Sequence, residues 1–374
     1  MRLGNRRFYA GLSGLCIFAG NFFPFATFAP GMSFVKHYTI PVFTPEMACP
    51  FRCVFCNQQK ISGHMESPDF DEVTETIRRY LKTFRPGEKR VEVGFFGGTF
   101  TGIPAEMQVG YLERVQPFVE AGEVHGIRLS TRPDYIDGEV LQRLKKYRVT
   151  TIELGAQSLD EEVLKLSRRG HTVKQVEKAS ALIRKAGFQL GLQMMIGLPG
   201  DSLEKALSTA DKIIALGAGN TRIYPALVIR DTVLHRWYDA GKYKPLPLPE
   251  AVLWSKLLLL KFEAAGVRVI RMGLHPSEGL LSGTERVAGP FHPSFRELVL
   301  TEIWHDLLLP LEKEKQAQTK RLQLEVPAKE LNHAVGYGGK NKKWLQQRYA
   351  GVKFSGSHTL PSRTFRYTAT VVNH

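Results

Sequence analysis

A chain of 374 residues, 43% apolar and 23% charged, is long enough to bury one large core and a smaller second one; lacking repeats and low-complexity tracts, it is neither fibrous, solenoidal nor disordered. Its net charge of +15 sits in the tails: residues 310–374 hold twelve Lys or Arg against four Glu, and residues 1–31 hold three Arg and no acid, so the C-terminal end suits a polyanionic partner. From residue 37 onward, short apolar runs alternate with helical patterns. The runs predict strands over 37–43, 91–96, 126–131, 150–156, 188–196 and 220–227. The intervening periodicity predicts helices over 70–84, 105–120, 138–147, 160–166 with 173–186, and 202–216. Asp69 and Asp160 are placed as N-caps, and Gly187 and Gly217 as helix stops. Strand–helix alternation implies a parallel sheet, and six units fit an open (β/α)6 barrel better than a closed one of eight. Pro245, Pro247 and Pro249 then mark a boundary, followed by a helix over 250–265, a strand over 267–270, a loop-like stretch over 273–293 and a helix over 295–309. The expected domains are therefore a barrel over 32–245, its extension over 246–312 and a small basic unit over 313–374, with 1–31 set apart.

Cys49, Cys53 and Cys56 stand within eight residues, directly after the first strand, whereas Cys16 is remote. In so large a chain this is not a disulfide framework. Three thiolates on one loop can hold one face of an iron–sulfur cube and leave the fourth iron open to a ligand, as a substrate-binding cluster requires. The rival is a zinc site, for which His64 is the nearest fourth ligand. A cluster also bears on residues 1–31. There Arg2, Arg6 and Arg7 precede an apolar stretch over 8–30 that is similar to a signal peptide or a weak span. Oxygen-sensitive chemistry belongs in a reducing compartment, so Met32 is the expected start, with a cytoplasmic protein and no stable membrane association.

The spacing C-x3-C-x2-C, with Phe55 before the last cysteine, resembles the signature of the radical S-adenosylmethionine (SAM) superfamily. That resemblance implies a 4Fe–4S cluster, SAM bound on the open iron, and reductive cleavage to a 5′-deoxyadenosyl radical. It also implies an electron donor such as a ferredoxin or flavodoxin, and places Phe55 against the adenine. Gly97, Gly98 and Thr99 match the family's glycine motif for the methionyl amino group. Polar residues at the carboxyl ends of barrel strands face the active site, and by the family's pattern Ser130, Gln157, Arg169 and Gln193 contact the SAM ribose or carboxylate. The motifs Ser130-Thr131-Arg132-Pro133-Asp134-Tyr135, Leu154-Gly155-Ala156-Gln157-Ser158, Arg169-Gly170-His171-Thr172 and Ile196-Gly197-Leu198-Pro199-Gly200 resemble the radical SAM part of the Elongator catalytic subunit. That family modifies the wobble uridine of tRNA with acetyl-CoA bound by a C-terminal acetyltransferase domain. The 65 residues after Leu309 are fewer than such a domain needs, so no acetyl-CoA step is expected of this stretch. Two other readings stay open: an enzyme similar to the oxygen-independent coproporphyrinogen oxidases, acting on a small tetrapyrrole, and a non-catalytic cluster-bearing binding protein.

The basic unit adds an independent signal. A strand over 321–326, a helix over 328–334, the turn Gly336-Tyr337-Gly338-Gly339, a helix to 349 and a strand over 352–354 resemble the core of a KH domain, whose GxxG loop clamps a nucleic-acid backbone. Lys340, Lys342, Lys343 and Arg348 lie beside the turn, and the first amides of the following helix favour phosphate. The expectation is a radical SAM enzyme that acts on RNA, with tRNA as its substrate.

Overall fold

The computed structural model describes residues 36–44, 53–57, 60, 67–314 and 316–372. They form two compact units, one reaching to Pro293 and the other starting at Ser294. In the first, strands β1 (Lys36–Thr44), β2 (Lys89–Gly97), β3 (Gly126–Thr131), β4 (Val149–Gln157), β5 (Gln189–Ile196) and β6 (Asn220–Pro225) lie side by side in chain order. After the antiparallel pair of β7 (Val228–Ile229) and β9 (Arg286–Ala288), strand β8 (Arg268–Met272) adds to β6 as a seventh strand. Every pairing in the large sheet is parallel, and β1 and β8 remain its two edges, so the barrel is open.

Local chemistry explains several of the helix starts. Asp69, Asp137, Asp160, Thr172 and Ser202 sit extended at the helix starts, and their side chains accept from amides of the first turn that would otherwise have no partner. Gly187 and Gly217 end their helices at φ of 86° and 76°, a region that costs an L side chain about 1–2 kcal/mol. One side of the sheet carries the alternate residues Val91, Val93, Phe95, Ile127, Leu129, Ile152, Leu154, Leu190, Leu192 and Met194, all at most 2% exposed. Together with Ile77, Leu112, Leu144, Ile183 and Ile213 of the helices they make up the apolar core. Truncating one of them, such as Leu129→Ala, costs about 2–5 kcal/mol.

Two boundaries differ from the expectations. The run expected as one strand over 220–227 breaks at Pro225, which has no amide to continue a ladder, and the chain turns into β7. The stretch over 273–293, expected as loop, contains the helix Glu278–Ser282 and β9. Among the described residues no helix is long and apolar enough to cross a membrane. Residues 1–35, including the expected start at Met32, lie outside the described residues.

The second unit opens with the helix Phe295–Leu308, expected within the barrel's extension. Its Trp304 and Leu308, with Leu311, instead share a core with Leu322, Leu324, Val326, Leu345, Tyr349 and Phe365. Strand β10 (Lys320–Pro327) is central, parallel to β11 (Gly351–Ser357) and antiparallel to β12 (Arg366–Val371). Helices Leu331–Val335 and Lys340–Gln346 connect the parallel pair, with the glycine turn between them. The expected order of strand, helix, turn, helix and strand is present, and β12 adds a third strand.

Candidate cluster and nucleotide site

The interior face of the open barrel holds charges where closed barrels stack aliphatic layers. Arg128 of β3 donates from Nε to Glu92 Oε2 of β2 at 3.0 Å and from Nη1 to Glu153 Oε1 of β4 at 2.8 Å. Arg222 of β6 donates to both oxygens of Glu153, at 2.5 and 3.0 Å, and lies 5.0 Å above the Phe96 ring. Gly191 of β5 makes room for this, since a Cβ there would stand 2.9 Å from Glu153 Cγ. Two carboxylates meet two guanidiniums, so a charge ladder that is mostly closed to water stays neutral across five strands. None of these four residues was singled out from sequence. The only signal was a charge set between uncharged neighbours within each of four strands.

Toward the carboxyl ends of the same strands lie the residues the sequence had marked. Gln193 Nε2 donates to Gln157 Oε1 at 3.3 Å, joining β5 to β4. Gln157 is held at φ 64°, a left-handed conformation that costs a non-glycine residue of order 1–3 kcal/mol and persists only where surroundings enforce it. Ser130 follows Arg128 on the same face of β3, half-buried. At the end of β2, Gly97 takes φ 113°, the Gly98 amide donates to Thr44 O at 3.0 Å, and Thr99 is buried as it enters the turn Phe100–Gly102. Arg132 is buried in a bidentate pair with Asp134, both bonds 2.9 Å.

The described part of the cysteine loop, residues 53–57, docks on this rim. Cys56 N donates to Cys53 O, closing a turn that brings the two residues together. Val54 is fastened on both sides: its amide donates to Ser167 O at 3.1 Å and its carbonyl accepts from Leu234 N at 2.7 Å. Cys53, Val54 and Phe55 are buried against Val163, Met195, Leu198, Ala226, Val228 and Leu234. Arg169 reaches the same place, with Nη1 donating to Cys53 Sγ at 3.4 Å and Nη2 to Gly155 O at 2.7 Å. Its neighbour Arg168 points elsewhere, 5.8 Å over the Trp237 ring. Lys60, after the loop, pairs with Asp231 at 2.6 Å and Glu285 at 3.0 Å. Cys49 and His64 lie outside the described residues. Among the described ones no three His, Cys, Asp or Glu gather as a metal site. Two thiols on one turn, with a guanidinium at the sulfur of Cys53, suit a cluster held by thiolates.

Two further groups organise the rim without having been read from sequence. Asp201 accepts from the Gly197 and Ser202 amides at 2.8 and 2.9 Å, and burial pushes its carboxyl up to about 6. Tyr243 donates to Gly197 O at 2.6 Å, and burial also raises its hydroxyl. Both fix the loop that leaves β5. His171 is 4% exposed, with Nε2 3.2 Å from Ala156 O; burial, with Arg169 and Arg132 nearby, pushes its imidazole down to about 3.

In the second unit the glycine turn is built as a tight corner. Gly336, Gly338 and Gly339 all have positive φ, of 85°, 60° and 77°. A Cβ on Gly336 would stand 2.9 Å from Asn341 N, whereas one on Gly338 would meet nothing within 4 Å, so the tip is open. Tyr337, 46% exposed, donates its amide to Thr301 Oγ1 at 2.8 Å. Of the four expected cations, Lys340 is paired with Glu302, and Arg348 with Glu312 at 2.6 Å. Lys342 and Lys343 form no ion pair among the described residues.

An open parallel barrel that collects thiols and amides at the carboxyl ends of its strands defines a class, the α/β enzymes that hold a cluster and a small ligand at that rim. Comparison with known proteins narrows it. Residues 47–213 match the model of the Radical SAM superfamily, and residues 220–305 that of the Radical_SAM C-terminal domain. The tRNA uridine(34) acetyltransferase of Dehalococcoides mccartyi is 27% identical over 242 residues, which cover 56% of this chain and 52% of that protein. Elongator complex protein 3 of Homo sapiens is 27% identical over 256 residues, covering 63% and 46%. The structure of archaeal Methanocaldococcus infernus Elp3, lacking its first 46 residues, shares the fold with a TM-score of 0.57 at 23% identity, covering 72% of this chain and 63% of that one. The chain spans about half the length of the curated relatives it matches. It belongs to the radical SAM superfamily and is an enzyme whose cofactors are a 4Fe–4S cluster and SAM.

Proposed function

We propose that this chain uses radical SAM chemistry to modify an RNA, a tRNA in particular, in the cytoplasm, with a ferredoxin or flavodoxin as electron donor. Cys49, Cys53 and Cys56 would hold the cluster, which when bound supplies the electron that splits SAM into methionine and a 5′-deoxyadenosyl radical. Gly97, Gly98 and Thr99 would present backbone groups to the methionyl amine, where a side chain would obstruct the approach. Ser130, Gln157 and Gln193 would orient the ribose and carboxylate from the strand ends, and Phe55 would cover the adenine. The buried Cys53, Val54 and Phe55 would help keep water from that side of the cluster.

The observation that carries the RNA substrate is the glycine turn, open at Gly338, with Gly339 against the Lys343 side chain and Lys342 next to it in sequence. The printed names of two relatives, a tRNA uridine(34) acetyltransferase and an Elongator complex protein, support the same reading. Lys340 and Arg348 are engaged by Glu302 and Glu312, so fewer phosphate contacts are expected than four nearby cations would suggest. With two contacts, the log–log dependence of affinity on salt should have a slope near −1.4, about −0.7 for each. Replacing Gly338 and Gly339 with Asp puts carboxylates at the tip, in open space at Gly338 and in ordinary contact with the Lys343 side chain at Gly339, and Asp tolerates left-handed φ better than most residues. Filter binding of tRNA at low and moderate salt should show that this variant loses most of its affinity with its iron content unchanged. Equal affinity in the two proteins would remove the turn from RNA binding.

A further inference from the structure

The turn over 167–169 grips the cysteine loop at two points. Ser167 O accepts from Val54 N, and Arg169 Nη1 donates to Cys53 Sγ at 3.4 Å. Arg169 is 7% exposed and its guanidinium is fixed from behind by Gly155 O at 2.7 Å, while Nε is buried with no hydrogen-bond partner among the described residues. The backbone is shaped to aim it. Arg168 and Gly170 flank it with φ of 50° and 81°, and the Arg169 amide is tied to Leu164 O at 3.0 Å. Gly155 is part of the same arrangement, because a Cβ there would stand 2.8 Å from Arg169 Nη2. Resemblance implies a contact between Arg169 and the SAM ribose or carboxylate; the structure sets its guanidinium at Cys53 Sγ, the thiol expected to hold the cluster.

We propose that Arg169 is a positioning residue that sets the reduction potential of the cluster, an inference that rests on Cys53 being a cluster ligand. Reduction adds one electron from a low-potential one-electron donor; no bond forms or breaks and no proton moves. The reduced cluster and its thiolates carry one more negative charge than the oxidised form. A cation held at a ligand sulfur, with an N–H donated to it, stabilises the reduced form more, and hydrogen bonds to sulfur are among the levers that set such potentials. The mostly closed surroundings of Arg169 keep this interaction from being screened as a surface charge would be.

The test is an anaerobic redox titration of the reconstituted full chain, without SAM, monitored by the paramagnetic signal of the reduced cluster and reported beside iron content. Arg169→Met keeps length and apolar packing but removes the charge and the donors. It should hold iron as the parent does and be at least about tenfold harder to reduce, a fall of about 59 mV for a one-electron couple. Arg169→Lys should recover part of that shift, and Gly155→Ala, which displaces the guanidinium while leaving it in the protein, should reproduce part of it. An unchanged SAM-free midpoint in Arg169→Met, with weakened SAM binding, would overturn the proposal in favour of a contact with SAM alone. Loss of iron from all three variants would overturn it in favour of a purely structural clasp. A parent protein that holds no reducible cluster would instead refute the ligand role of Cys53, an outcome distinguishable from both.

Discussion

His171 should make the fold lose stability as pH falls, by an amount the structure sets. Its imidazole lies against the carbonyl of Ala156 at the end of β4, 4% exposed, with Arg169 and Arg132 close enough to repel a proton. Its pKa is about 3 in the folded chain against 6.5 for an unperturbed histidine. Because the folded value is depressed, the contribution is fully present above pH 6.5 and is lost as pH falls toward the folded value. At pH 5 the unfolded chain has taken up the proton and the folded chain has not. The gap of about 1.5 pH units, at 1.36 kcal/mol each, amounts to about 2 kcal/mol. Asp201 works in the opposite direction: its raised carboxyl contributes stability that is full below pH 3.8 and lost as pH rises through about 6. A comparison with His171→Gln, which keeps Asp201 but cannot titrate at this position, separates the two. Urea unfolding of both proteins without cluster, at pH 7 and pH 5, should show the parent losing about 2 kcal/mol more than the variant. Equal losses would mean that His171 is not held neutral by its surroundings, and the reasoning would fail.

The remaining predictions concern the parts around it. Glu153→Gln leaves Arg128 and Arg222 sharing one neutral partner on the barrel's inner face, and should cost about 3–5 kcal/mol in urea unfolding; a cost under about 1 kcal/mol would show the ladder to be well hydrated. Tyr243→Phe removes the bond to Gly197 O and should cost about 0.5–1.5 kcal/mol by the same assay, with no change when both proteins are compared in an Asp201→Asn background counting against coupling in that loop. Gly336→Ala forces a Cβ toward Asn341 N at a positive φ and should lower the melting temperature seen by circular dichroism, whereas Ala at Gly338 should do so far less; the reverse order would contradict the corner geometry.

What could be read from the sequence was mainly what local chemistry decides. Asp69 and Asp160 cap their helices as expected, because a cap bonds amides only two or three residues on. The six strands after residue 36 were placed to within a few residues, since apolar runs between turn residues carry their own signal. Where β8 goes was not legible: its pattern marked a strand, but its register on β6 depends on pairing across more than forty residues. The charge ladder was hidden for the same reason. Glu92, Arg128, Glu153 and Arg222 look like misplaced charges until the register sets them side by side. In the second unit the cations beside the glycine turn were visible, but Glu302 and Glu312, which neutralise two of them, come from a stretch that local pattern assigned to the barrel. Arg169 and Arg168 were indistinguishable in sequence. A left-handed Arg168 separates them by turning one side chain to Cys53 and the other to Trp237.

The central claim, radical SAM chemistry directed at RNA, is tested most directly by 5′-deoxyadenosine formation from SAM. The assay uses the anaerobically reconstituted protein under a low-potential reductant, with and without tRNA. The expected result is about four irons per chain, as a 4Fe–4S site requires, and 5′-deoxyadenosine whose formation rises with tRNA and disappears in Cys53→Ala. Formation that ignores tRNA but depends on Cys53 would contradict the RNA substrate. No 5′-deoxyadenosine from iron-loaded protein under any of these conditions would contradict the account as a whole.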